Sequence, residues 1–312
     1  MDILIIGGSG HVSGALARVA LAHGHNTWTV TRNQRPLPDG VRSLVADRHD
    51  LAATEAIIGE QNMVWDLVVD CICYEAADMR QDIDLFRRRA RQFAFVSTDF
   101  VYDPFHRKLP QAEEGSEHYA RGGDGSGVSY GSKKRLCEEA LIEADTGDME
   151  WTIVRPCHIY GPTSELGCLP LHGRDKQLID RLRSGETIRL VGGGHFLQQP
   201  ILADDLAATL LSIGGNDRAH GQIFNAAGPD LIESRQYYQI VADLLGVELT
   251  VAELPVQPHL EENPQSAPFL CHRIYDLSRL EAACLSVPST SMADGLRLHV
   301  EGMLARREEA QQ

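Results

Sequence analysis

The chain opens with an apolar run, Ile3-Leu4-Ile5-Ile6, that passes directly into Gly7-Gly8-Ser9-Gly10-His11-Val12-Ser13-Gly14. This junction constrains the fold more than any other stretch. Glycines at the end of a strand let the backbone turn tightly into a helix. They also let it approach a pyrophosphate, whose charge then rests on the helix N-terminus. The helix follows at once, with Leu16, Val19 and Ala20 at helical spacing between residues 15 and 23. Strand, glycine turn and helix in that order define a dinucleotide-binding unit. Ser13 stands where a GxxGxxG pattern would place its third glycine, so the close helix–strand packing there has to accept a hydroxyl.

Short apolar runs continue to alternate with helical patterns. Residues 27–31, 44–46, 67–72 and 93–97 read as further strands, 81–91 and 130–144 as helices, and 151–154 as another strand. Such alternation predicts an α/β fold, a Rossmann-type doubly wound parallel sheet with both faces covered. After Gly161 prolines and short elements mix, which predicts a smaller C-terminal α+β cap that binds substrate. We therefore expect a NAD(P)-binding domain over residues 1–163 and a mainly substrate-binding domain over 164–312, with part of 196–228 returning to the first. Residues 103–127 form a long polar, glycine-rich stretch, of the kind that usually serves a site.

Charge and cysteine usage exclude several classes. A formal net charge of −15 repels phosphate backbones, so no nucleic-acid partner is expected. The densest basic run, residues 87–91 (RRRAR), reads as the solvated side of a helix. The N-terminus lacks the basic region of a signal peptide, and no apolar run approaches the ~18 residues of a membrane span. Seven cysteines show no CxxC pair, which fits reduced thiols in the cytoplasm. No histidine cluster has zinc spacing, so no metal is expected.

Cofactor preference is set at the end of the second strand, where NAD-selective folds place a carboxylate for the ribose 2′-hydroxyl. Thr31-Arg32 stands there instead. A guanidinium suits a 2′-phosphate, so NADP is favoured over NAD. Asp47 closes the third strand where adenine would lie, and residues 71–74 are expected beside the nicotinamide. The expected cofactor contacts are Gly7, Ser9, Gly10, His11, Val12, Thr31, Arg32, Asp47, Arg48, Cys71, Cys73, Tyr130, Lys134, Pro156 and His158.

Tyr130-Gly131-Ser132-Lys133-Lys134 is a YxxxK motif on a helix, and its spacing puts Tyr130 and Lys134 on one face. An ammonium near a phenol lowers the tyrosine pKa from about 10 toward neutrality. Such a phenol can take a proton from an alcohol as hydride leaves, or give one to a ketone as hydride arrives. Ser97-Thr98-Asp99 ends the fifth strand, in the crevice where ligands bind. Thr98 is the hydroxyl we assign to the reacting oxygen, with Ser97 as the fallback.

With these residues in place the chain resembles the extended short-chain dehydrogenases/reductases, the NAD-dependent epimerase/dehydratase superfamily. The similarity rests on GGSGHVSG, on Thr98, Tyr130 and Lys134, on Val154-Arg155-Pro156 through Tyr160-Gly161-Pro162, on residues 202–207, and on Ile223-Phe224-Asn225 before Gly228-Pro229. The resemblance implies a sugar or nucleotide-sugar substrate and a homodimer packed through two helices per subunit. It also implies a substrate set of Thr98, Asp99, His158, Gln198 and Arg273. Two departures narrow the reaction. Dehydratases of the superfamily follow the threonine with Asp-Glu, whereas Asp99 is followed by Phe100 here, so dehydration is not expected. Nucleotide-sugar enzymes commonly carry an arginine where Gln198 stands. A pyrophosphate would lose a charge-assisted bond worth about 1.5–3 kcal/mol, unless Arg273 or Arg174 takes over or the substrate is not a nucleotide sugar. Three functions stay open: a sugar epimerase with a retained cofactor, an NADPH-dependent keto-sugar reductase or dehydrogenase, and an RNA-associated or non-catalytic relative.

Overall fold

The computed structural model describes residues 1–114, 129–171 and 174–309. Its frame is one seven-stranded parallel sheet. The strands, labelled along the chain, are β1 (Asp2–Ile6), β2 (Asn26–Thr31), β3 (Arg42–Val45), β4 (Trp65–Asp70), β5 (Ala90–Val96), β6 (Glu150–Pro156) and β7 (Gln222–Ala226). In space they run β7-β6-β5-β4-β1-β2-β3. Successive strands therefore go outward one way from β1 and the other way from β4. The crevice at the carboxyl ends of β1 and β4 is the topological switch point, where ligands of open α/β sheets bind.

Burial on both faces explains the unbroken apolar run of β1. Ile3 and Ile5 enter one core with Leu16, Val69, Leu206 and Phe224. Leu4 and Ile6 enter the other with Val68, Phe86, Phe93 and Cys137. Helices α1 (His11–Ala22) and α2 (Leu51–Glu60) follow β1 and β3, and α3 (Ala76–Phe86) and α4 (Tyr130–Ile142) follow β4 and β5. Helices α5 (Leu178–Arg183), α6 (Ala203–Leu211) and α7 (Ser234–Leu245) come later, and α6 packs beside α1. A third core joins Tyr160, Leu178, Ile179, Tyr237 and Leu296 of the C-terminal half. Strand β7 pairs with β6, Phe224 opposite Val154, and so brings the chain back to the main sheet.

Two local readings are corrected. The helix expected over 81–91 is α3, and it ends at Phe86. Glu75 and Asp78 form a capping box that starts it early, and Ala90 already pairs with Trp65 in the sheet. The RRRAR run is thus a turn leading into β5, not one side of a helix. Helix α2 gave no periodic signal, yet it is started by Asp50, whose carboxylate accepts from the Ala53 amide at 3.1 Å. Among the described residues no helix is long and apolar enough to cross a membrane.

Candidate active site

Three adjoining cavities follow the switch-point crevice. The first, about 330 Å³, runs from Gly7, Ser9 and Gly10 past Thr31 and Arg32 to Asp47 and His49. The second, about 360 Å³, runs from His11 and Val12 past Cys71 to Tyr130 and Lys134. The third, about 390 Å³, lies beyond Tyr130 between Thr98, His158, Leu169 and Phe269. Gly10, Ser13, Ile72 and Tyr74 line both of the first two, and Ser97, Tyr130, Ile159 and Arg174 line both of the last two. The result is one groove with a chamber at its end.

The glycine turn fits a dinucleotide on steric grounds. Gly7 and Gly8 both have φ of +120°, and a Cβ on Gly8 would lie 2.6 Å from the Thr29 methyl. A side chain is therefore excluded where the backbone must come close. The Ser13 hydroxyl accepts from the Gly10 amide at 3.1 Å, so the departure from GxxGxxG is absorbed by a local bond. The first turn of α1 carries no acidic residue to repel a phosphate. Farther along, Arg32 and Asp47 are exposed on the groove wall, 3.9 Å apart. Arg35 lines the same end, a second guanidinium that no motif announced.

At the chamber mouth Tyr130 is half-exposed, and its hydroxyl lies beside that of Thr98. Thr98 also accepts from the Phe100 amide at 3.3 Å. The other candidate hydroxyl is spent, since Ser97 Oγ donates to Glu138 at 2.5 Å. Glu138 is held in turn by Arg155, Nε at 3.0 Å and Nη2 at 2.7 Å. This buried set ties the end of β5 to α4 and β6. Gly131 makes the joint tighter still, because a Cβ there would sit 2.1 Å from the Phe100 carbonyl oxygen.

The expected acidification of the phenol is corrected by the position of Lys134. Its Nζ donates to the carbonyls of Cys73 and Val96, each at 2.8 Å, and lies over the Phe95 ring. Burial lowers the lysine's own pKa. Burial and the neighbouring Tyr74 push the Tyr130 phenol up to about 12, against the opposing effect of Thr98. In this state the phenol keeps its proton. Lysine and tyrosine share the groove as expected, but the ammonium braces the crevice wall.

Five further expectations fall on side chains that are committed or buried elsewhere. Arg48 reaches the groove wall, yet its guanidinium donates inward to Asp70 at 2.6 Å and to Asp82 at 3.0 Å. Cys73 is fully buried in the core, and only its carbonyl serves the site, through Lys134. Arg273 is buried against Asp99 and donates to the Pro268 carbonyl at 3.1 Å. Asp99 also takes Tyr275 Oη at 2.5 Å and Arg107 at 3.4 Å. Burial opposes its charge, but Arg273 and Arg107 hold its carboxyl below the usual range. Gln198 is buried on a short strand against Ile232, with neither amide atom hydrogen-bonded. It is absent from the lining of the chamber. Gln199 is a backbone brace, donating to Gly228 and accepting from Tyr275.

Pro156 and His158, expected at the cofactor, line the chamber and neither of the two groove cavities. His158 Nε2 donates to the Gly167 carbonyl at 3.1 Å. Burial first, and for His11 and His158 the charge of Arg174 next, push His11, His158 and His299 down to about 4. An unfolded histidine titrates near 6.5. Stability is therefore full above that pH and is lost as pH falls toward 4, because the unfolded chain takes up protons that the folded one refuses. The fully buried His299 alone should cost about 2 kcal/mol between pH 7 and 5. Urea unfolding across that range tests this: His299→Gln should flatten the slope, and an unchanged slope would contradict it.

The crevice and glycine turn define a dinucleotide-binding α/β protein. The sequence profile of the NAD dependent epimerase/dehydratase family matches residues 3–227, and the chain belongs to that family. Among curated proteins it is 25% identical over 296 residues to the 2′-dehydrokanamycin reductase of Streptomyces kanamyceticus, covering 90% of this chain and 78% of the reductase. It is also 25% identical over 241 residues to the chloroplast stem-loop binding protein of 41 kDa b from Arabidopsis thaliana. That alignment covers 72% of this chain and 58% of the plant protein's length. The fold matches an epimerase from Methanothermobacter thermautotrophicus with a TM-score of 0.80 at 14% identity, covering 99% of this chain and 94% of the other. A Thermotoga maritima UDP-glucose 4-epimerase with UDP-glucose gives 0.73 at 16% identity, covering 99% and 100%.

Proposed function

We propose that the protein is an NAD(P)-dependent enzyme of the epimerase type that acts by transient hydride transfer on a secondary alcohol of a sugar-like substrate. One observation carries this reading: the Tyr130 hydroxyl, beside Thr98, stands at the border between a dinucleotide groove and an open chamber. A nicotinamide dinucleotide bound in that groove supplies the hydride acceptor and donor. The chain's own residues do the rest. Thr98 Oγ1 holds the substrate oxygen, and Tyr130 Oη gives or takes its proton. Lys134 fixes the Cys73 and Val96 carbonyls that form the crevice wall. Phe100 and Phe269, with ring centres 5.5 Å apart, exclude water from one side of the chamber.

A reductase that releases its cofactor is the second reading, favoured by a phenol that holds its proton and so suits donation to a ketone. The relative named as a reductase, matched over 90% of the chain, supports it. Identifying the nucleotide released by denaturing the purified protein separates the two. A stoichiometric dinucleotide supports the epimerase cycle. An empty protein that turns over added NADPH supports the reductase and overturns the epimerase.

NADP is the cofactor we favour, because Arg32 and Arg35 both face the adenosine end. Arg32→Ala should weaken NADPH binding about tenfold and NADH binding hardly at all. Equal losses in a titration of both would remove the argument. A cytoplasmic setting and a homodimer packed through two helices per subunit belong to the same proposal. The former is supported by seven unpaired cysteines. An RNA-associated role is not favoured, given the charge of −15 and the intact Tyr130 and Lys134.

A further inference from the structure

Arg174 is the residue that the function above leaves unexplained. It lies on the segment leading to α5, is exposed, and lines both the nicotinamide half of the groove and the chamber beyond Tyr130. It makes no hydrogen bond and no ion pair with any described residue, whereas the neighbouring Arg273 is bound by Asp99. Among the described residues Asp99 is the one carboxylate on the chamber wall. Its charge is already met by two guanidiniums, Arg273 and Arg107. The charge that the described residues leave facing the chamber is therefore positive, in a chain whose net charge is −15. An unpaired guanidinium where the groove meets the chamber, with apolar Leu169 and Phe269 in the same lining, has the donor geometry for a carboxylate or phosphate.

We propose that Arg174 recognises an anionic substituent on the substrate, so that the substrate is a hydroxy- or keto-sugar carrying its own carboxylate or phosphate group. This rests on the chamber beyond Tyr130 being the substrate site. A nucleotide diphosphate is the less suited anion. Gln198 is neutral and lies outside the chamber lining, and Arg273 is committed to Asp99, so among the described residues no second arginine is free beside Arg174 to share a pyrophosphate. The dinucleotide's own phosphates have the N-terminus of α1 instead.

Calorimetry on the protein saturated with NADPH tests the proposal, with glucose, glucuronate, glucose 1-phosphate and UDP-glucose as probes. The anionic monosaccharides should bind at least about tenfold more tightly than glucose. Arg174→Ala should erase that difference while leaving the NADPH dissociation constant within about twofold, and Arg174→Lys should restore part of it. The proposal is overturned if neither anionic monosaccharide binds better than glucose, or if Arg174→Ala changes nothing. It is equally overturned if Arg174→Ala weakens NADPH itself tenfold, which would assign the arginine to the cofactor, or if UDP-glucose binds most tightly and ignores the substitution. A wrong catalytic reading would surface separately, as full activity in Tyr130→Phe whatever the probes do.

Discussion

Tyr130→Phe should lower kcat/KM by about 10²–10⁴-fold, the range for losing a positioned general acid–base group, and should leave the cofactor affinity within about twofold. The ring stays, so its contacts with Phe100 and Tyr74, at 6.3 and 6.5 Å between ring centres, survive. Only the hydroxyl is lost. Because the side chain is half-exposed, folding stability should hardly move. Steady-state kinetics beside a cofactor titration give the answer, and wild-type turnover in this variant would remove Tyr130 from the chemistry. Thr98→Val should show a smaller loss in the same direction, since it removes the hydroxyl that places the substrate oxygen and keeps the proton donor.

Asp99→Ala should destabilise the fold by about 3–5 kcal/mol, the usual cost of leaving one side of a buried pair uncompensated. Arg273 and Arg107 side chains are 1% and 4% exposed, and the substitution leaves two buried cations facing a void. Asp99→Asn keeps an acceptor for Tyr275 and should cost less. Urea unfolding measures both. The competing assignment, in which Asp99 holds substrate, predicts a different pattern: normal stability with a raised KM. The two outcomes do not overlap.

These two residues also show what the sequence could convey. The glycine turn, the apolar β1 and the YxxxK spacing are local features, each set by neighbours a few positions away, and they place the groove and its tyrosine. Arg273 and Asp99 are separated by 174 positions. No periodicity reveals that the pair exists, so both read as available for a ligand. Arg48 behaves in the same way: its neighbours in sequence put it at the cofactor edge, and Asp70 and Asp82 draw its guanidinium inward. Lys134 taught the opposite lesson. Its spacing from Tyr130 was legible, but its two carbonyl acceptors lie in the loop after β4 and at the end of β5 and redirect its charge. Gln198 was legible as a departure from the family, while its burial depends on an antiparallel partner at Ile232. The arginine run at 87–91 failed as a helix because β4 claims Ala90 through Trp65.

Gly131, wedged under the Phe100 carbonyl, has a bearing on how such an enzyme could change its substrate. The helix that presents the phenol and the loop that presents the threonine cannot slide past one another, so the proton donor and its partner hydroxyl are locked as one part. Evolution of new specificity is then steered away from that part and toward the opposite wall, where Leu169 and Arg174 sit on a separate segment and can be exchanged without disturbing the chemistry.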